Sequence, residues 1–151
     1  MIPSRFIIVD NDPVNNLLCS LAIKDAAVNA DILAFTNPFK AFEYISAYNE
    51  SNNSINILLL DINMPIWSGW DFADHFEKLD EKIKKRFKIY MLSSSIDNND
   101  KLRAVENKNV IDYIEKPLTE EKVFSLLLVW GEVIYFAIFA LHSQVSPTTD
   151  M

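Results

Sequence analysis

Four short stretches of this sequence carry side chains suited to phosphate chemistry. They are Asp10-Asn11-Asp12, Asp61-Ile62-Asn63-Met64-Pro65, Ser93-Ser94-Ser95 and Glu115-Lys116-Pro117. Each directly follows a short apolar run. A divalent ion such as Mg²⁺ takes hard oxygen ligands, one or two carboxylates among them. A carboxylate at Asp61 can attack phosphorus once the incoming negative charge is neutralised. The Lys116 ammonium and the Ser93 hydroxyl can then bind the remaining phosphoryl oxygens.

Side chains so far apart in sequence must be brought together by regular elements. Strand-like runs occupy residues 5–9, 31–35, 56–60, 87–92 and 110–114, each bounded by polar or turn-forming residues, as buried parallel strands are. Helical patterns lie between them. Asp12 before Pro13 and Asn37 before Pro38 read as N-caps with proline in the first turn. Val14, Leu17, Leu18 and Leu21 share one face of the first helix, the pattern of a core-facing stripe. Ser68 or Asp71 opens a third helix, Asp97 a fourth and Thr119 a fifth. Five alternating units predict an α/β fold: a doubly wound parallel sheet with helices on both faces and right-handed crossovers. Sites in such sheets lie beyond the carboxyl ends of the strands, where all four stretches fall.

In this order and spacing, Asp10, the Asp61-to-Pro65 run with Gly69 after it, the Ser93 hydroxyl and Lys116-Pro117 resemble the response-regulator receiver family. The resemblance runs from about residue 5 to residue 130. It implies the flavodoxin-like strand order 2-1-3-4-5. Asp61 takes the position of the phospho-acceptor, Lys116 that of the conserved-type lysine, and Ser93 with Tyr113 those of the switch pair. Asp10, Asn11, Asp61 and the backbone carbonyl of Asn63 take the positions of the Mg²⁺ ligands. Pro117 takes the turn position that follows a cis bond. Asn11 departs from the family, which has a second acid there; an amide coordinates without a charge, so weaker metal affinity is expected. The implied partners are a histidine kinase or phosphotransfer protein and a downstream protein target. The implied chemistry is self-catalysed acceptance and slow self-hydrolysis, not turnover of a free substrate.

Two other readings use the same residues. The run from Phe6 to Val14 also fits a haloacid-dehalogenase-like phosphatase with Asp10 as nucleophile and Asp12 as acid/base. That reading leaves the Asp61 motif unused and finds no acidic pair at a strand end after Lys116. A pseudo-receiver that is never phosphorylated rests on Asn11 alone.

Composition narrows the classes further. A net charge of −7 argues against nucleic acid as a partner, because phosphate repulsion would need a basic patch to overcome it. The basic run from Lys82 to Arg86 reads as a solvated helix end. Two glycines in the whole chain exclude a dinucleotide fingerprint and a P-loop, which need several. The single cysteine, Cys19, allows no internal disulfide and points to the cytoplasm. The first apolar run is too short for a signal peptide. Residues 1–130 are expected to form the receiver domain. Residues 131–151 form a hydrophobic extension whose Val133–Leu141 stretch is surplus to any fifth helix. Its expected role is a homodimer contact. Glu132 near the middle of the apolar stretch, and the lack of a flanking basic cluster, disfavour a membrane anchor.

Overall fold

The structure is a computed structural model and describes residues 3, 5–51, 53–95 and 97–130. Five parallel strands, β1 (Arg5–Val9), β2 (Asp31–Phe35), β3 (Asn56–Asp61), β4 (Phe87–Ser93) and β5 (Val110–Glu115), form one sheet. Their order is β2-β1-β3-β4-β5, as expected. Register pairs Val9 with Leu60 and Asp61 with Leu92, so the ends of β1, β3 and β4 lie level. β3 is buried along its whole length, which is why it reads as an unbroken apolar run and not as an alternation.

The helices are α1 (Pro13–Ala26), α2 (Pro38–Ser46), α3 (Gly69–Glu77), α4 (Glu81–Lys84), α5 (Asn98–Glu106) and α6 (Glu120–Leu128). Side chains of α1 and α6 cover one face of the sheet through Phe6, Ile8, Ile57, Leu59 and Tyr90. Those of α2, α3 and α5 cover the other through Ile7, Val9, Leu58 and Met91. Period-two alternation along each central strand supplies both faces. Capping places the helix starts. Asp12, Asn37, Ser68, Asp97 and Thr119 each accept from a backbone N–H of the first turn, and Ser68–Asp71 and Asp97–Asp100 form reciprocal capping boxes.

Two details differ from the sequence reading. The basic run does end a helix, the one-turn α4, with Lys82 and Lys85 exposed, but Lys84 within it is buried, paired with Glu81 at 2.6 Å and Glu77 at 3.6 Å. The first helix also turns the other way about its axis. It buries Asn16, Cys19, Ala22 and Ile23, while Val14, Leu17, Leu18 and Leu21 are 49–60% exposed. Toward the sheet and α6 the helix turns its small side chains and one β-branched residue, and the leucines lie on the opposite side. The expectation for the extension from residue 131 onward falls outside the described residues. Among the described residues no helix is long and apolar enough to cross a membrane.

Candidate functional site

The carboxyl ends of β1, β3, β4 and β5 bring the sequence-selected residues to one edge. Asp10 follows β1 and is 1% exposed; Asp61 closes β3 and is 4% exposed. Lys116, on the turn after β5, bridges them. Its Nζ lies 2.6 Å from Asp10 Oδ2 and 3.3 Å from Asp61 Oδ1. The Lys116–Pro117 bond is cis, as the resemblance implied.

Each carboxylate is oriented by its own loop. Asp10 Oδ1 accepts from the Asp12 backbone N–H at 2.9 Å, which occupies both of its oxygens. Asp61 Oδ1 accepts from the Asn63 N–H at 3.3 Å. The hydrogen bond and ion pair of Asp61 among the described residues thus both fall on Oδ1. Asp12 turns away and caps α1 through Val14 N at 2.9 Å.

The charges are not balanced within this cluster. Burial, then the charge of Asp10, raises the Asp61 carboxyl above its ordinary range, with Lys116 opposing. Burial disfavours the Lys116 ammonium, but Asp10 and Asp61 outweigh it and hold the pKa above the usual lysine value. Two buried carboxylates share one ammonium, so the pocket has an unmet demand for positive charge. That donor set suits a hard divalent cation, which needs only one or two carboxylates beside carbonyls and waters. No cluster of three or more acidic, histidine or cysteine side chains forms a closed cage among the described residues. Asn11 and Asn63 stand exposed at the rim, within the loops that begin at the two carboxylates.

Ser93 is fully buried. Its hydroxyl donates to the Ser95 carbonyl at 2.9 Å and accepts from the Asn63 side-chain amide at 3.2 Å. It is therefore committed to the loop after β4 and to the loop after β3 at once. Tyr113 on β5 is half-buried against the core face that α2, α3 and α5 cover.

Three residues that the sequence reading did not assign to the site also shape it. Asn16 is 5% exposed and donates to the carbonyls of Asp10 at 3.0 Å and Phe35 at 3.2 Å, pinning the loop after β1. Its spacing with Cys19 and Ile23 was the available signal, since it places an amide on the buried face of α1. Lys122 donates to the carbonyls of Glu115 at 2.6 Å and Pro117 at 3.0 Å, bracing the turn that presents Lys116; nothing in the sequence marked it. Gly69 is required by contact, because a Cβ there would meet the Asp61 carbonyl oxygen at 2.6 Å.

Residues 6–128 match the family model of the response regulator receiver domain. The chain is 25% identical over 127 residues to the sensor histidine kinase GacS of Pseudomonas protegens, covering 83% of this chain and 13% of that protein. It is 25% identical over 123 residues to the probable transcriptional regulator ycf29 of Porphyra purpurea, covering 82% of this chain and 54% of that one. The chain therefore spans only part of these curated relatives. A response regulator receiver protein from Dyadobacter fermentans superposes with a TM-score of 0.75 at 25% identity, over 83% of this chain and 96% of that one.

Proposed function

The chain belongs to the response regulator receiver domain family of two-component signalling, and from that premise we propose that Asp61 is its phospho-acceptor. The observation that carries the assignment is Lys116 Nζ set 3.3 Å from Asp61 Oδ1. In the proposed step Oδ2 attacks the phosphorus of a phosphohistidine on a kinase or phosphotransfer protein. The P–N bond breaks, an acyl phosphate forms, and the leaving imidazole regains its ring lone pair. Lys116 binds a phosphoryl oxygen and Ser93 can turn to another. Mg²⁺, held by Asp10, Asp61, the Asn11 amide and the Asn63 carbonyl, would supply charge neutralisation. If Ser93 leaves the Asn63 amide and the Ser95 carbonyl, the space it vacates is open to Tyr113. That gives the surface of α5, β5 and α6 two packings for a downstream protein to distinguish. Residues 1–130 are the proposed signalling unit, acting in the cytoplasm.

The test is acetyl phosphate or beryllofluoride with Mg²⁺, read by intact mass and by amide shifts. Asp61 should take up one phosphoryl group and Asp61→Asn none. Retention of the adduct in Asp61→Asn with its loss in Asp10→Asn would assign the chemistry to Asp10. No adduct under any condition would make the domain a pseudo-receiver.

A further inference from the structure

Helix α5 is held to the rest of the fold by few side chains. Of its nine residues only Ala104 is buried, while Leu102 and Val105 are 55% and 83% exposed. One buried alanine removes little apolar surface from water. Among the described residues, one side-chain hydrogen bond leaves α5 for another element: the Trp70 indole N–H donates to Asp100 Oδ1 at 3.0 Å. Asp100 is the third residue of α5, and its other oxygen accepts from the Asp97 N–H at 3.4 Å within the capping box. One turn further on, the Arg103 guanidinium lies 4.8 Å from the centre of the Trp70 ring, close enough for a cation–π attraction. The edge and a face of one indole thus grip the first two turns of α5.

That indole stands at the start of α3, directly after the loop that follows Asp61. Trp70 is 4% exposed and packs in the same core layer as Ala104 and Tyr113. Its neighbour Gly69 donates to the Ile62 carbonyl at 2.9 Å and lies too close to the Asp61 carbonyl to carry a side chain. The end of β3, the first turn of α3 and the first turn of α5 are therefore joined in one path. A second anchor reaches α5 through the loop after β4. There the Ser93 hydroxyl donates to the Ser95 carbonyl at 2.9 Å and accepts from the Ser95 N–H at 3.2 Å, two residues before the Asp97 cap.

We propose that Trp70 is a positioning residue for the switch: its bond to Asp100 is made in the resting packing and broken in the switched one, so it holds α5 back. This rests on the reading of Asp61 as phospho-acceptor, because phosphorylation is what draws Ser93 from its loop. Once Ser93 has left, the indole bond is the remaining side-chain tie on the first turn of α5. Its strength then sets how far the phosphoryl group shifts the equilibrium. By linkage, weakening the resting packing tightens, by the same factor, the binding of a ligand that selects the switched one.

Trp70→Phe in the full-length chain tests this, since it keeps an aromatic ring in the core and removes only the N–H donor and the second ring. In the resting protein, amides of α5 should exchange with solvent roughly tenfold faster, the weight of one hydrogen bond to a carboxylate, while those of α1 and α2 keep the parent rates. Beryllofluoride with Mg²⁺ should bind the variant tighter by a similar factor. Parent rates across α5 would overturn the tether. Faster exchange with unchanged or weaker beryllofluoride binding would make Trp70 a packing residue and equally overturn the proposal. A parent protein that takes up no beryllofluoride would remove the acceptor assignment and the switch with it. The resting exchange, measured without any phosphoryl mimic, tells that failure from a failure of the tether.

Discussion

At the residue scale the site is a problem in charge. Asp61 is buried, faces Asp10, and its carboxyl is raised above its unfolded value. A raised acid stabilises the fold fully below the unfolded pKa and loses that contribution as pH rises through the folded one. Ionising Asp61 in the metal-free protein therefore opposes the fold. Asp61→Asn should stabilise it by about 1–2 kcal/mol near pH 7, and the gain should shrink as the pH falls toward 4. Mg²⁺ should raise the melting temperature of the parent and much less that of the variant. Equal melting curves for the two proteins at pH 7 would mean that Lys116 already balances the pair. Asn11→Asp acts on the same charge deficit. A unit charge about 4 Å from a divalent ion is worth roughly 2 kcal/mol in water, so Mg²⁺ affinity should rise about thirtyfold in a calorimetric titration. Asp10, Asp61, Ser93 and Lys116 were legible because each ends or directly follows a strand. Asn16 and Lys122 were not, since they act by donating to backbone carbonyls whose positions only the folded chain defines.

At the element scale, strands and caps were read closely, with β3, β4 and β5 each one residue longer than the apolar run that announced it. Those extra residues, Asp61, Ser93 and Glu115, pair in the sheet, so the site begins inside the ladder. The facing of α1 was misread for a physical reason. Periodicity identifies a stripe but not which side of it meets the core. The loop between β3 and α3 carries two tests of local geometry. Gly69→Ala puts a Cβ against the Asp61 carbonyl and should cost about 1–3 kcal/mol by overpacking. Urea unfolding would show it, and acetyl-phosphate labelling should slow with it as the acceptor shifts. Ile66 is 85% exposed with a φ of 69°, a left-handed backbone that costs a residue with a branched Cβ roughly 1–2 kcal/mol. Ile66→Gly relieves it against a chain-entropy cost of roughly 0.5–1 kcal/mol. A modest rise in the unfolding midpoint is expected; a fall would mean Ile66 packs in solution.

At the scale of the whole molecule, the two helical layers have different work. α1 and α6 hold the side whose outer surface is apolar, and α5 with β5 borders the side that the proposed switch alters. The pair that joins these halves is Asp10 and Lys116, 106 residues apart in sequence. Its consequence is temporal. A chain emerging from the ribosome presents Asp61 well before Lys116 exists to meet it, and no fragment ending before β5 can complete the pocket. On the proposed function, an unfinished or clipped copy would therefore lack the lysine that the transfer step uses, and the complete pocket would arrive only with the final strand and its turn.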